Sequence, residues 1–289
     1  MIQAQEQRTA TPATQFHTYA SVLVHAEAGG QSSRRIEIAA RLARSLDARL
    51  IGLGAETFEP LPPTDPFMGY ASGDWFTLME KQVAADLDRA EADFRRDAAS
   101  ANVEWRSVHD YPAKALARAA RAADLVIVGP RGQGGGGRCA DPAEVIMTAG
   151  RPVLVVPPAG GHLRASTVVV AWKDSREARR AVADAMPFLQ RADTVIVQAV
   201  CEDGHLEAAA VQTEDVAAYL KRHGVRALAK VSTNTQKGVA SELQRIAESN
   251  SADLIVAGAY GHSRVQEWVF GGVTDTLVNA PPCFVLLSH

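Results

Sequence analysis

The sequence predicts an α/β protein built as two doubly wound domains in tandem, each a five-stranded parallel sheet with helices on both faces. Three observations carry this. Short apolar runs alternate with helix-length amphipathic stretches along the chain, the pattern of βαβ units. The series restarts after a Pro/Gly-rich stretch, PPAGGHLRAS, at residues 157–166. Finally, AADLVIVGPRG (Ala122–Gly132) returns as SADLIVAGAYG (Ser251–Gly261), with Ala, Asp, Leu and two Gly in register. The domains expected are a disordered polar tail over 1–20, a first domain over 21–158, a linker over 159–166 and a second domain over 167–289.

Taken in order, Ser21–His25 is the first strand. Ile36, Ala39, Ala40, Ala43 and Leu46 recur with helical period over Ser33–Leu46, with Ser32 or Ser33 as N-cap. Arg49–Gly54 is the second strand. EPLPPTDPFMGYASGD, residues 59–74, is too rich in Pro, Gly and Asp for a helix or central strand and reads as a surface loop. A long helix from Trp75 to Ala101 carries Leu78, Val83, Leu87 and Phe94 on one side. Val103–Val108 is the third strand, and Pro112 opens a helix that runs to Ala122, as proline suits a first helical turn. The repeated run supplies the fourth strand, Ala143–Ala149 a helix and Pro152–Val156 the fifth strand. The second copy reads as strands at Thr167–Trp172, Thr194–Cys201, Val225–Ser232, Ser251–Gly258 and Phe284–Leu287. Helices lie between them at Arg176–Gln190, Leu206–His223, Val239–Asn250 and from Gly272 onward.

At 289 residues, with 47% hydrophobic and 22% charged residues, the composition is that of an ordinary globular chain able to bury sizeable cores. A net charge of −3 gives no basic field, which argues against nucleic acid as a partner. No apolar run approaches the roughly 20 residues that span a bilayer, and the start lacks a signal-peptide core, so no membrane role is expected. The three cysteines, Cys139, Cys201 and Cys283, lack CxxC spacing and fit a reducing compartment better than a disulfide or zinc framework.

The chemistry concentrates in Ser251–Leu287. The run Leu254–Ala257 stops at Gly258; Gly261 follows, then a loop with His262, Arg264 and Trp268, and then Gly271–Gly272 ahead of VTDTLVNA. Bare backbone allows a ligand to approach closely, and the helix start near Gly272 offers free N–H groups to an anion such as phosphate. The four glycines Gly134–Gly137 are not a Walker loop, because no Gly-Lys-Ser/Thr follows them. Neither a Gly-x-Ser-x-Gly elbow, nor His-Glu-x-x-His, nor G-x-G-x-x-G after an opening strand is present, so little in the chain points to catalysis.

This stretch resembles the universal stress protein family, whose members carry G-x2-G-x9-G-(S/T) here. Gly258, Gly261 and Gly271 keep both spacings, Gly272 stands at the Ser/Thr position, and Val273–Thr274 match again. The resemblance implies a Rossmann-like fold of the adenine nucleotide α-hydrolase type, strand order 3-2-1-4-5 in each half, and pairing of the halves through their last strands. It implies ATP or another adenine nucleotide, alone or with magnesium, in the C-terminal half. The residues that would hold it are Ala171, Trp172 and Lys173 after the first strand, Val200 after the second, and Gly258, Gly261, His262, Gly271, Gly272, Val273 and Thr274. Lys173 takes the place of the family's Asp and offers a point charge to phosphate, or is simply a solvated loop lysine. In the N-terminal half Gly129 and Gly132 survive, but Pro142 replaces the third glycine, Asp141 and Glu144 flank the helix start, and Glu27 replaces the Asp. That half is expected to be empty. The function implied is a cytoplasmic stress-response or regulatory module with at most slow ATP hydrolysis, the two halves paired within the chain and a homodimer of whole chains left open. A nucleotide-independent scaffold or chaperone-like protein and an adenylate-using enzyme are the alternatives.

Overall fold

The apolar runs fold as strands buried on both faces, as parallel ladders require. In the computed structural model, which describes residues 18–29, 32–58, 71–99, 102–131, 138–233, 238–261 and 272–289, the first half contains β1 Ser21–Ala26, β2 Arg49–Ala55, β3 Val103–Val108, β4 Leu125–Val128 and β5 Val153–Val155. The second half contains β6 Thr167–Ala171, β7 Thr194–Cys201, β8 Ala227–Thr233, β9 Leu254–Gly258 and β10 Phe284–Ser288. The helices are α1 Ser33–Leu46, α2 Ala71–Ala98, α3 Pro112–Ala119, α4 Pro142–Thr148, α5 Arg176–Asp184, α6 Met186–Leu189, α7 Leu206–Arg222, α8 Gly238–Ser249 and α9 Gly272–Asn279.

The strands form one ten-stranded sheet in the order β3-β2-β1-β4-β5-β10-β9-β6-β7-β8. Each half has the expected order 3-2-1-4-5, all parallel. The halves join through their last strands, antiparallel, with Val155 opposite Val285, Leu154 opposite Leu286 and Val153 opposite Leu287. In each half the strand order reverses at the first strand, between β1 and β4 and between β6 and β9. Residues of α1, α2, α5, α6 and α7 cover one face and residues of α3, α4, α8 and α9 the other; each apolar layer draws on both halves.

The aspartate shared by the repeated motif has a structural task. Asp124 Oδ2 accepts from the amides of Ala20 and Ser21, each at 2.9 Å, and its counterpart Asp253 accepts from Arg164, Ser166 and Thr167 at 3.1–3.3 Å. Each carboxylate thus satisfies the chain entering the first strand of its own half.

Several expectations need correction. Residues 1–17 lie outside the described residues; of Thr18–Ala20, placed in the tail, Thr18 and Ala20 are exposed but Tyr19 is not. Tyr19 is buried; its hydroxyl donates to the Asp184 carbonyl at 2.5 Å and its ring meets Phe188 edge-on at 5.7 Å. An aromatic residue in a polar stretch finds its partner only in the other half of the chain. The helix expected from Trp75 begins at Ala71, so the last four residues of the Pro/Gly-rich stretch are helical; they hold no proline. The helix expected over Arg176–Gln190 breaks at Ala185, since Pro187 has no N–H to donate back and opens α6 as its second residue. Ser32 stands at the N-cap of α1 but makes no capping bond; its hydroxyl instead accepts from the Glu27 amide at 3.2 Å and donates to the Glu27 carbonyl at 3.0 Å.

Candidate functional site

The carboxyl ends of β6 and β9 are neighbours, Ala171 opposite Ala257, and the crevice of the C-terminal half opens there. Alternation along β6 puts Ala171 against the α8/α9 layer and Trp172 into the α5/α7 layer. Trp172 is 9% exposed; its amide donates to the Gln198 carbonyl at 2.8 Å, and its indole N–H has no partner among the described residues. Lys173 is exposed. Val200 pairs with Ser232 toward the end of β7, the neighbour of β6, and lies in the same apolar layer as Ala171 and Val273.

Gly258 has a packing reason to be glycine. A Cβ there would sit 2.5 Å from the Ala178 nitrogen, so the first turn of α5 lies directly on the strand end. Ser175 caps that turn by accepting from the Ala178 amide at 3.2 Å. Beside Gly261 stands a carboxylate, with Glu177 Oε2 3.2 Å from the Cβ that Gly261 lacks. Glu177 is buried. Burial raises its pKa, but hydrogen bonds from Arg176, from its own backbone and from Ser175 outweigh that and hold the carboxyl down at about 2. A fixed negative charge therefore adjoins the second glycine.

Gly272 opens α9, is exposed, and has no described atom within 4 Å of where its side chain would start. Val273 is half-buried and Thr274 is buried. Asp275 lies in the first turn of α9 and pairs with Arg131 of the other half at 3.5 Å. The acid that argued against phosphate at α4 thus has a counterpart at α9. His262 and Gly271, with Trp268, lie outside the described residues, and no group of His, Cys, Asp or Glu among the described residues could hold a metal ion.

In the N-terminal half a side chain of α1 lies on the first glycine of the motif. Arg35 from the first turn of α1 places Nη1 2.7 Å from the Cβ position of Gly129. Its Nε donates to the His25 carbonyl at 3.0 Å, and its Nη2 pairs with Glu27 at 3.2 Å. Burial raises the pKa of Glu27, which is nearly buried, but the Arg35 guanidinium beside it outweighs this and lowers the carboxyl below its usual value. A buried guanidinium–carboxylate pair thus lies against Gly129, the first glycine of this half's motif.

Arg35 and Glu177 are the residues that reasoning from the sequence missed. Both stand in the first turn of the helix that follows the first strand of their half, where each copy carries charged residues.

A model of the universal stress protein family matches this chain twice, over residues 18–157 and 165–289. A search of curated proteins finds no match. Among solved structures, a universal stress protein from Archaeoglobus fulgidus is similar at 14% identity, covering 96% of this chain and 98% of its own, with TM-score 0.68. A protein from Pseudomonas aeruginosa described as a putative universal stress protein aligns at 15% identity over 93% of both chains, with TM-score 0.54. A universal stress protein solved in complex with cAMP matches 49% of this chain and 99% of its own at 26% identity, with TM-score 0.32. Two family matches that together span nearly all the described residues, on a repeated doubly wound fold, place the chain in the universal stress protein family.

Proposed function

We propose that this chain is a cytoplasmic stress-response module in which the C-terminal domain, 167–289, binds an adenine nucleotide, ATP in the first instance. The N-terminal domain, 21–158, is its structural partner across the linker 159–166. The observation that carries this is the difference between the two crevices. Arg35, paired with Glu27, lies on Gly129 in the first, whereas no described residue lies within 4 Å of where a Gly272 side chain would start and a buried indole donor at Trp172 has no partner among the described residues. Adenine ring nitrogens are acceptors of the kind such a donor needs, and amides at a helix start suit phosphate. Three free cysteines are in keeping with a reducing compartment. Binding would act by changing conformation or partners rather than through turnover. The second reading, a nucleotide-independent scaffold, is favoured by the exposed Lys173 and by the Glu177 carboxylate beside Gly261.

The test is calorimetric titration of ATP into wild type, Gly272→Asp and Gly272→Ser, with folding checked by circular dichroism. Two like charges about 4 Å apart at intermediate dielectric cost roughly 4 kcal/mol before screening. Even a quarter of that makes Gly272→Asp bind several-fold more weakly. Gly272→Ser restores the family's hydroxyl in open space and is expected to match or exceed wild type. No heat from wild type would replace this reading with the scaffold.

A further inference from the structure

Arg131 belongs to one half and reaches the other. It lies in the loop after β4, at the position that Tyr260 takes in the repeated motif. Its guanidinium grips Asp141, the N-cap of α4, with Nη2 at 3.2 Å and 3.3 Å from the two carboxylate oxygens, and its Nη1 lies 3.5 Å from Asp275 in the first turn of α9. One cation therefore faces the first turns of both helices that follow the glycine loops, and α4 and α9 pack together. The arrangement is one-sided. Tyr260, the counterpart of Arg131, is uncharged and buried with positive φ, so the C-terminal half sends no cation from that position.

Two features tie this arginine to a ligand rather than to docking of the halves alone. Asp275 by itself would repel an anion from the α9 amides, and Arg131 is the group that offsets it. The same half also holds the buried indole N–H of Trp172 at the end of β6, which has no partner among the described residues. We propose that Arg131 is a phosphate-binding residue supplied in trans, from the N-terminal half to a nucleotide in the C-terminal half; this rests on the nucleotide reading above. The guanidinium is always charged, and its planar fork matches two phosphate oxygens. With its side chain 36% exposed, it can turn from Asp275 to an incoming phosphate while keeping Asp141. Arg131 then makes the site sensitive to phosphate number and makes each half necessary to it.

The experiment titrates ATP and adenosine into the full chain as wild type, Arg131→Ala, Arg131→Lys and Asp275→Asn. Arg131→Ala is expected to bind ATP about tenfold more weakly, the scale of a lost charge-assisted contact, with adenosine affinity unchanged. Arg131→Lys is expected to keep part of the difference between the two ligands, and Asp275→Asn to bind ATP more tightly than wild type. Equal losses for ATP and adenosine would mean that Arg131 only holds the halves in place, and would overturn the proposal. So would wild-type ATP affinity in Arg131→Ala, which leaves the nucleotide reading standing. Wild type that takes neither ligand overturns both.

Discussion

His25 is a histidine kept neutral by its surroundings. It is 2% exposed, with Nδ1 3.5 Å from Glu27 Oε2. Burial pushes its pKa down from 6.5 to about 4, outweighing the pull of Glu27 in the other direction. Unfolded chains therefore bind a proton between these values that the folded protein refuses. Stability from this group is fully present above about pH 6.5, is lost progressively as pH falls from there to about 4, and levels off below, a difference of about 3 kcal/mol at pH 4. In urea unfolding at a series of pH values, His25→Asn is expected to lose less stability than wild type between pH 7 and pH 4. Parallel curves would show that His25 takes up its proton without unfolding. None of this was legible in SVLVH, where a histidine ending an apolar run could as well be a loop residue. Only the closing of α1, with Arg35, over the strand end decides it.

At the scale of elements, the sequence shows where strands and helices lie but not how closely they meet. Gly258 reads as a ligand-facing glycine, yet the space its Cβ would enter belongs to the backbone of α5. Backbone cannot yield as a side-chain tip can, so Gly258→Ala is expected to shift α5 and to destabilise the protein by about 1–3 kcal/mol in urea unfolding. Unchanged stability would mean that α5 has room to spare. The break between α5 and α6 was legible in principle, because Met186-Pro187 stands in the sequence. The early start of α2 was not, because composition over 59–74 averages a proline-rich part with a proline-free end.

At the scale of the whole molecule, the sheet and both apolar layers run through the two halves without interruption. The seam is the antiparallel β5–β10 ladder, reinforced by Tyr19 on Phe188, Arg191 to the Ser45 carbonyl at 3.2 Å and Arg180 to the Gly150 carbonyl at 2.9 Å. A chain of residues 159–289 alone would bare the edge of β10, whose side chains are buried in the full molecule. Such an edge pairs readily, and an antiparallel ladder about a twofold axis closes on itself. Light scattering is therefore expected to show this half as a dimer, and a stable monomer would show that the ladder does not drive association. The alternation of apolar runs with helical periods, the restart after Pro157 and the repeated Ala-Asp-Leu motif were enough, from the sequence by itself, to determine two parallel α/β halves, and the spacing of Gly258, Gly261 and Gly271 carried the resemblance to their family. They could do so because periodicity and turn chemistry act over short stretches of chain. Tertiary structure alone decided that Arg35 lies on Gly129, that Glu177 stands beside Gly261 and that Arg131 crosses to Asp275. Those contacts join residues far apart in the chain, and the place of a charge then depends on which backbone packs beside it.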